Sequence, residues 1–301
     1  MNPNKVSNQL YGWKDVLREI NDMTPKEDNF IDVYGKKVVD ADKERVRGIL
    51  AGTNAEDNFG IYGADIQEYI TSQEIGEMDW FHEEDRREEI LDDDRAQDIA
   101  VFLTSKYDDT INHVDMVCII KNACTDYEAV PFFMDATFNT DDKKLDKKMS
   151  WRHPKEEVKH SGFATVKYFE DDFNMDAILD KGRIEIAPRF VIGYDAELAN
   201  TIMELRNTRD GGTSEKRERA SAMAKWCVLK ELNTQCRQML DYLEKADKNS
   251  VLLQKAYEQV KALSKYFSGA MEAAKKHDAK FIPGYPNTDP VCEAICERSI
   301  V

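Results

Sequence analysis

Apolar positions along the chain follow two periods, and together they predict a β-rich middle with a helical C-terminal part. In residues 113–121 (HVDMVCIIK) and 130–139 (VPFFMDATFN) β-branched and aromatic residues run at strand length. A polar connector, Asn122 to Ala129, separates them, so the two read as neighbouring strands. GFATVKYFED (162–171) and RIEIAPRFVIGYD (183–195) supply two more. Pro188 lacks an N–H for the ladder and makes the last of these an edge or bulged strand.

Helical spacing governs the rest. Leu10, Trp13, Leu17 and Ile20 share one face of a short helix that Thr24-Pro25 breaks, and residues 24–81 carry no regular pattern. Asp92, Asp93 and Asp94 stand before Ala96, Ile99, Ala100, Phe102 and Leu103, which predicts a helix over 94–105, because acidic groups favour a helix N-terminus. Asp141 and Asp142 open a short basic helix, DDKKLDKKM, and Asp195 caps a helix through Leu205. After a glycine-containing linker, two long amphipathic stretches, Thr213 to Leu243 and Ser250 to Lys276, predict an antiparallel hairpin. The tail ends in a short helix bearing Cys292 and Cys296.

The expected fold class is therefore α/β in the α+β sense, a small mixed sheet flanked by helices with a C-terminal helical hairpin. It divides into an N-terminal extension (1–93), a core (94–206) and the hairpin with its tail (207–301).

Composition refines this in one respect. The 301 residues carry a formal charge of −16, but residues 56–98 alone hold sixteen acidic and three basic groups, so −13 of that charge belongs to one segment. That segment reads as a solvated insertion, or as an arm that binds a partner. The other 258 residues together carry only −3, and one stretch leans positive: residues 143–167 hold eight basic groups against three acidic. Overall acidity is thus no argument against a polyanionic partner. No apolar run nears the ~20 residues that cross a bilayer, and the first residues lack the features of a secretory signal. The six cysteines form no C-x-x-C pair, which fits reduced thiols and a cytoplasmic location. The phosphate-loop, dinucleotide, nucleophile-elbow and H-E-x-x-H motifs are all missing.

What chemistry the sequence offers lies on the two central strands. Side chains alternate along a strand, so Phe133, Asp135, Thr137 and Asn139 share a face, as do His113, Asp115, Val117 and Ile119. Asp115 is near the start of its strand and Asp135 near the end of the next. An antiparallel pairing sets the two carboxylates opposite each other, where they repel unless a cation lies between them. A hard divalent ion takes such oxygens at ~2.0 to 2.1 Å if it is magnesium. The plainer reading is that both are strand-end polar residues satisfied by backbone N–H groups or by Lys121. His113 reads as a hydrogen-bonded surface histidine or as a further ligand beside Asp115.

The run of an x-x-Asp-hydrophobic strand followed by a hydrophobic strand ending in Asp-x-x resembles the PD-(D/E)xK nuclease-like superfamily over about residues 94–195. The resemblance implies a restriction-endonuclease-like core in which Asp115 and Asp135 bind magnesium or manganese for phosphodiester hydrolysis of DNA or RNA. Asp98 is the acidic candidate on the preceding element. The lysine of the motif is replaced by Thr137, which would orient a water, while Lys144 or Lys148 on the next helix, or Lys167 on a neighbouring strand, would supply the missing charge. Lys143, Lys147, Lys148 and Lys167 are then the expected contacts to the nucleic-acid backbone. The alternative is a non-catalytic interaction module on the same fold, holding a protein partner through its helical hairpin or acidic arm. No membrane contact is expected.

Overall fold

The computed structural model describes residues 18, 20–51, 71–76, 80, 99–124, 127–137, 142–149, 162–170, 181–194, 198, 201–202, 214–245, 250–278 and 289–298. In chain order the elements used below are α1 (Ile31–Tyr34), α2 (Lys36–Ala51), β1 (Ile99–Leu103), β2 (Met116–Cys124) and β3 (Tyr127–Thr137). These are followed by α3 (Asp142–Met149), β4 (Phe163–Phe169), β5 (Gly182–Gly193), α4 (Ser214–Lys245), α5 (Val251–His277) and α6 (Pro290–Cys296).

The sheet is mixed and five-stranded, in the order β1-β2-β3-β5-β4. β1, β2 and β3 form an antiparallel meander, and β5 joins β3 in parallel, which the intervening α3 permits. β5 is long because it serves two ladders. Gly182 to Pro188 pair with β4, and Arg189 to Gly193 pair with β3. Pro188, expected on an edge or bulge, stands at this change of partner, and the β4–β5 register shifts beside it. Beyond it the open edge of β5 is satisfied by side chains of α4. Gln235 accepts from Val191 N–H at 2.9 Å and donates to Val191 C=O at 2.7 Å, and Glu231 accepts from Gly193 N–H at 3.0 Å.

The two faces of the sheet bury different things. Phe132, Met134, Phe190 and Ile192 meet α4 and α5 in the largest apolar cluster, with Phe267 of α5 edge-on to Phe132 and Phe190 at 5.5 and 6.1 Å. The hairpin thus shares its core with the sheet. Lys225 pairs with Asp278 at 3.0 Å, and Ser268 donates to Asn233, so the two helices run antiparallel as their spacing predicts. On the opposite face Val117, Ile119 and Phe133 pack against Ala164, Val166 and Ile184 of β4 and β5. Leu145 and Met149 of α3 cover Val191 together with Val291 and Ile295 of α6.

Three expectations are corrected. The stretch expected as a helix over 94–105 contains β1 over Ile99–Leu103 instead. Five consecutive apolar residues satisfy a helical face and a strand in contact on both sides equally well, and pairing with β2 decides for the strand. Residues 24–81, read as patternless, contain α1, α2 and a helical piece at 71–76. α2 buries only Val39 and Val46, against Phe30, Tyr107 and Tyr168, too narrow a stripe to show as amphipathic spacing. The connector Asn122 to Ala129 is largely strand, since β2 runs to Cys124 and β3 starts at Tyr127. Most of the acidic segment 56–98, Asp98 included, lies outside the described residues.

Candidate functional site

A buried charge cluster forms where β2, β3 and β5 meet α3. The β2–β3 ladder ends at Met116–Met134, and Asp115 and Asp135 each lie one residue beyond that last pair. Asp115 N–H donates to Met134 C=O at 2.9 Å, and its Oδ2 accepts from Ala136 N–H at 2.7 Å, so the strand end itself fixes the first carboxylate. Before it the chain turns sharply. A π-helical turn over Asp108–Asn112 ends at His113, whose φ of 54° places it in the left-handed region.

Asp135 lies on the face shared with Phe133 and Thr137 and is 2% exposed. Both its oxygens meet cations: Lys148 Nζ from α3 donates to Oδ1, and Arg189 Nη2 from β5 donates to Oδ2. Arg189, 1% exposed, is held further by His113 C=O, to which Nε donates at 2.7 Å, and by Lys148 C=O at 3.2 Å from Nη1. Lys148 Nζ also donates to Ala136 C=O.

The electrostatics divide the two acids. Burial would raise Asp135, but Lys148 and Arg189 outweigh it and hold the carboxyl below its ordinary value. Burial, then repulsion from Asp135, pushes Asp115 up to about 8, with Lys148 and the Ala136 N–H opposing. The two carboxyls are thus pushed apart, Asp115 toward its protonated form and Asp135 toward its ionised form. Burial lowers His113 as well and favours its neutral imidazole.

The oxygens that converge, from Asp115, Asp135 and the Ala136 carbonyl, are the hard donors that magnesium or manganese takes. Among the described residues no group of three or more His, Cys, Asp or Glu side chains is placed to hold a metal ion, so a cation here would rest on the two carboxylates and main-chain oxygen.

Of the residues singled out in the sequence, Asp115, Asp135 and Lys148 are brought together. Thr137 is buried two residues beyond Asp135, where its carbonyl packs so tightly on Gly193 that a Cβ there would collide with it. Lys143 and Lys147 are exposed on α3, and the side chain of Lys144 lies outside the described residues. Lys167 is elsewhere. Its Nζ pairs with Asp42 of α2 and lies 5.1 to 5.3 Å from the ring centroids of Tyr34, Tyr107 and Tyr168. It is committed to pinning the N-terminal helices to β4. Sequence reasoning missed Arg189. The signal was present, because an arginine inside APRFVIG is a charge in a strand with no polar face to offer it.

No protein-family model, no curated protein and no solved structure matches the chain. Among the described residues no helix is long and apolar enough to cross a membrane.

Proposed function

We propose that the chain is a metal-dependent nuclease built on a restriction-endonuclease-like core, cutting phosphodiesters of DNA or RNA. One observation carries the reading: Asp115 and Asp135 lie just beyond the last β2–β3 pair, Asp115 on the N–H of Ala136 next to Asp135, with the ammonium of Lys148 delivered to Asp135 from the next helix. This supports Lys148 as the group that takes over the charge Thr137 cannot supply. The meander of β1, β2 and β3, the following α3 and the parallel return of β5 to β3 are consistent with such a core. Asp115, Asp135 and the Ala136 carbonyl would hold magnesium or manganese, which when bound polarises a phosphate and lowers the pKa of a water. Lys148 stabilises charge on the phosphate, Lys143 and Lys147, exposed on α3, meet the nucleic-acid backbone, and Thr137 orients a water.

The test is incubation with DNA and RNA at low salt with manganese, alongside thermal melting. Cleavage is expected in the wild type and absent in Asp135→Asn, with Lys148→Ala slower by ~10²- to 10³-fold. Metal at a hundredfold excess over its Kd should stabilise the wild type by ~2.7 kcal/mol and leave Asp135→Asn unmoved. No cleavage and no metal-induced stabilisation overturns the reading.

A second reading is favoured by the satisfaction of Asp135, both of whose oxygens already have cationic partners. On that reading the cluster pins α3 and β5 to β3, and the chain is a non-catalytic module that holds a protein partner.

A further inference from the structure

The proposed site already contains a cation. Lys148 Nζ donates to Asp135 Oδ1 and to Ala136 C=O, a carboxylate oxygen and a main-chain oxygen that a hard divalent ion would also use. Asp115, just before β2, sets its Oδ2 on the Ala136 N–H. An ammonium and a divalent ion cannot fill that position together, since both need the same oxygens and repel each other. Arg189 cannot be the ion that leaves, because it is buried and tied to His113 C=O and Lys148 C=O as well as to Asp135. Lys148 can. Its side chain is 34% exposed against 3% for that of Asp135, so it closes the cluster from the solvent side, and a change of rotamer would carry its charge outward. It ends a helix whose Lys143 and Lys147 are exposed, so a polyanion drawn to α3 arrives beside the same ammonium.

We propose that Lys148 is a built-in competitor for the metal position, drawn out by the phosphates of a bound nucleic acid, so that nucleic acid and metal each strengthen binding of the other. The inference rests on the preceding reading of the site and adds its regulation. Coupling of this kind is reciprocal: the factor by which nucleic acid raises metal affinity is the factor by which metal raises nucleic-acid affinity.

Manganese binding to the full chain, followed by titration calorimetry with and without a short DNA duplex, tests it. Without DNA, Lys148→Met should bind manganese ~10-fold or more tightly than wild type, the equivalent of one charge-assisted hydrogen bond lost by the competitor. Lys148→Arg, which retains a cation, should stay near wild type. DNA should raise manganese affinity of the wild type and leave that of Lys148→Met nearly unchanged, a readout independent of cleavage. If Lys148→Met gains no affinity while Asp135→Asn abolishes binding, the competitor idea is overturned and the metal site stands. Equal manganese affinity of the wild type with and without DNA overturns it from the wild type alone. If neither protein binds manganese in any arm, the metal-site reading falls, and this inference with it.

Discussion

Two carboxylates of this molecule, Asp135 and Glu231, are almost completely withdrawn from water, at 2% and 0% exposure, yet they end in opposite states. Asp135 has Arg189 and Lys148 on its two oxygens and is held ionised below its ordinary range. Glu231, on α4, accepts from Gly193 N–H with Oε2, while Oε1 meets no hydrogen-bond donor among the described residues. Burial pushes its carboxyl well above the usual carboxylate range, with the Gly193 N–H and Cys292 opposing, so the neutral form is favoured. Depth is the same, and the presence of cations decides. Glu231 props the open edge of β5 with no cation on its carboxyl to favour the charge. The interior around Asp135 retains charge that an apolar substitute of similar size would avoid, and retained charge marks a place to look for function.

Three measurements sharpen or break this contrast. The largest effect belongs to Asp135→Asn, which leaves Arg189 buried without its anion and should lower the unfolding free energy in urea by ~3 to 5 kcal/mol. The next concerns pH. Asp115 keeps its proton in the folded state up to about 8, whereas an unfolded aspartate loses it near ~3.9. Between those values the folded state binds more protons, so its contribution to stability is complete below ~4 and declines as pH rises to about 8, by at most ~1.4 kcal/mol per unit. Asp115→Asn should flatten denaturation midpoints measured from pH 5 to 8. Asp135 has the opposite sign, and its contribution is lost only as pH falls below the ordinary carboxylate range. Glu231→Gln should give the smallest change, under ~1 kcal/mol in urea, because it replaces one neutral acceptor with another. A loss there as large as that of Asp135→Asn would mean Glu231 is charged, and the contrast would fail.

Much of the frame was legible in the residues. Alternation in HVDMVCIIK and VPFFMDATFN set the faces of β2 and β3 and put Asp115 and Asp135 at the same end of the pair. Helical spacing set α4 and α5, and the basic run after Asp141 set α3 with Lys148 on it. What escaped was decided by distant partners. β1 is a strand because β2 lies beside it, and its own five apolar residues are indifferent. Arg189 and Lys167 are both strand residues, and only tertiary contact sends one to Asp135 and the other to Asp42 and three tyrosines. Charge counts likewise grouped Lys167 with the lysines of α3, although the fold commits it to α2.

The change of partner along β5 has a mechanical consequence. A single strand joins the β3 side of the sheet to the β4 side, and the seam falls between Pro188 and Arg189, whose N–H donates to Gly162 C=O at 2.8 Å. β4 in turn is stitched to the N-terminal helices by Tyr34, which donates to Lys167 C=O, and by the Lys167–Asp42 pair, while Asp108 of the π-helical turn accepts from the N–H groups of Lys167 and Tyr168. The guanidinium gripping the buried acid thus sits at the joint of those two halves, like a rivet set where two plates meet.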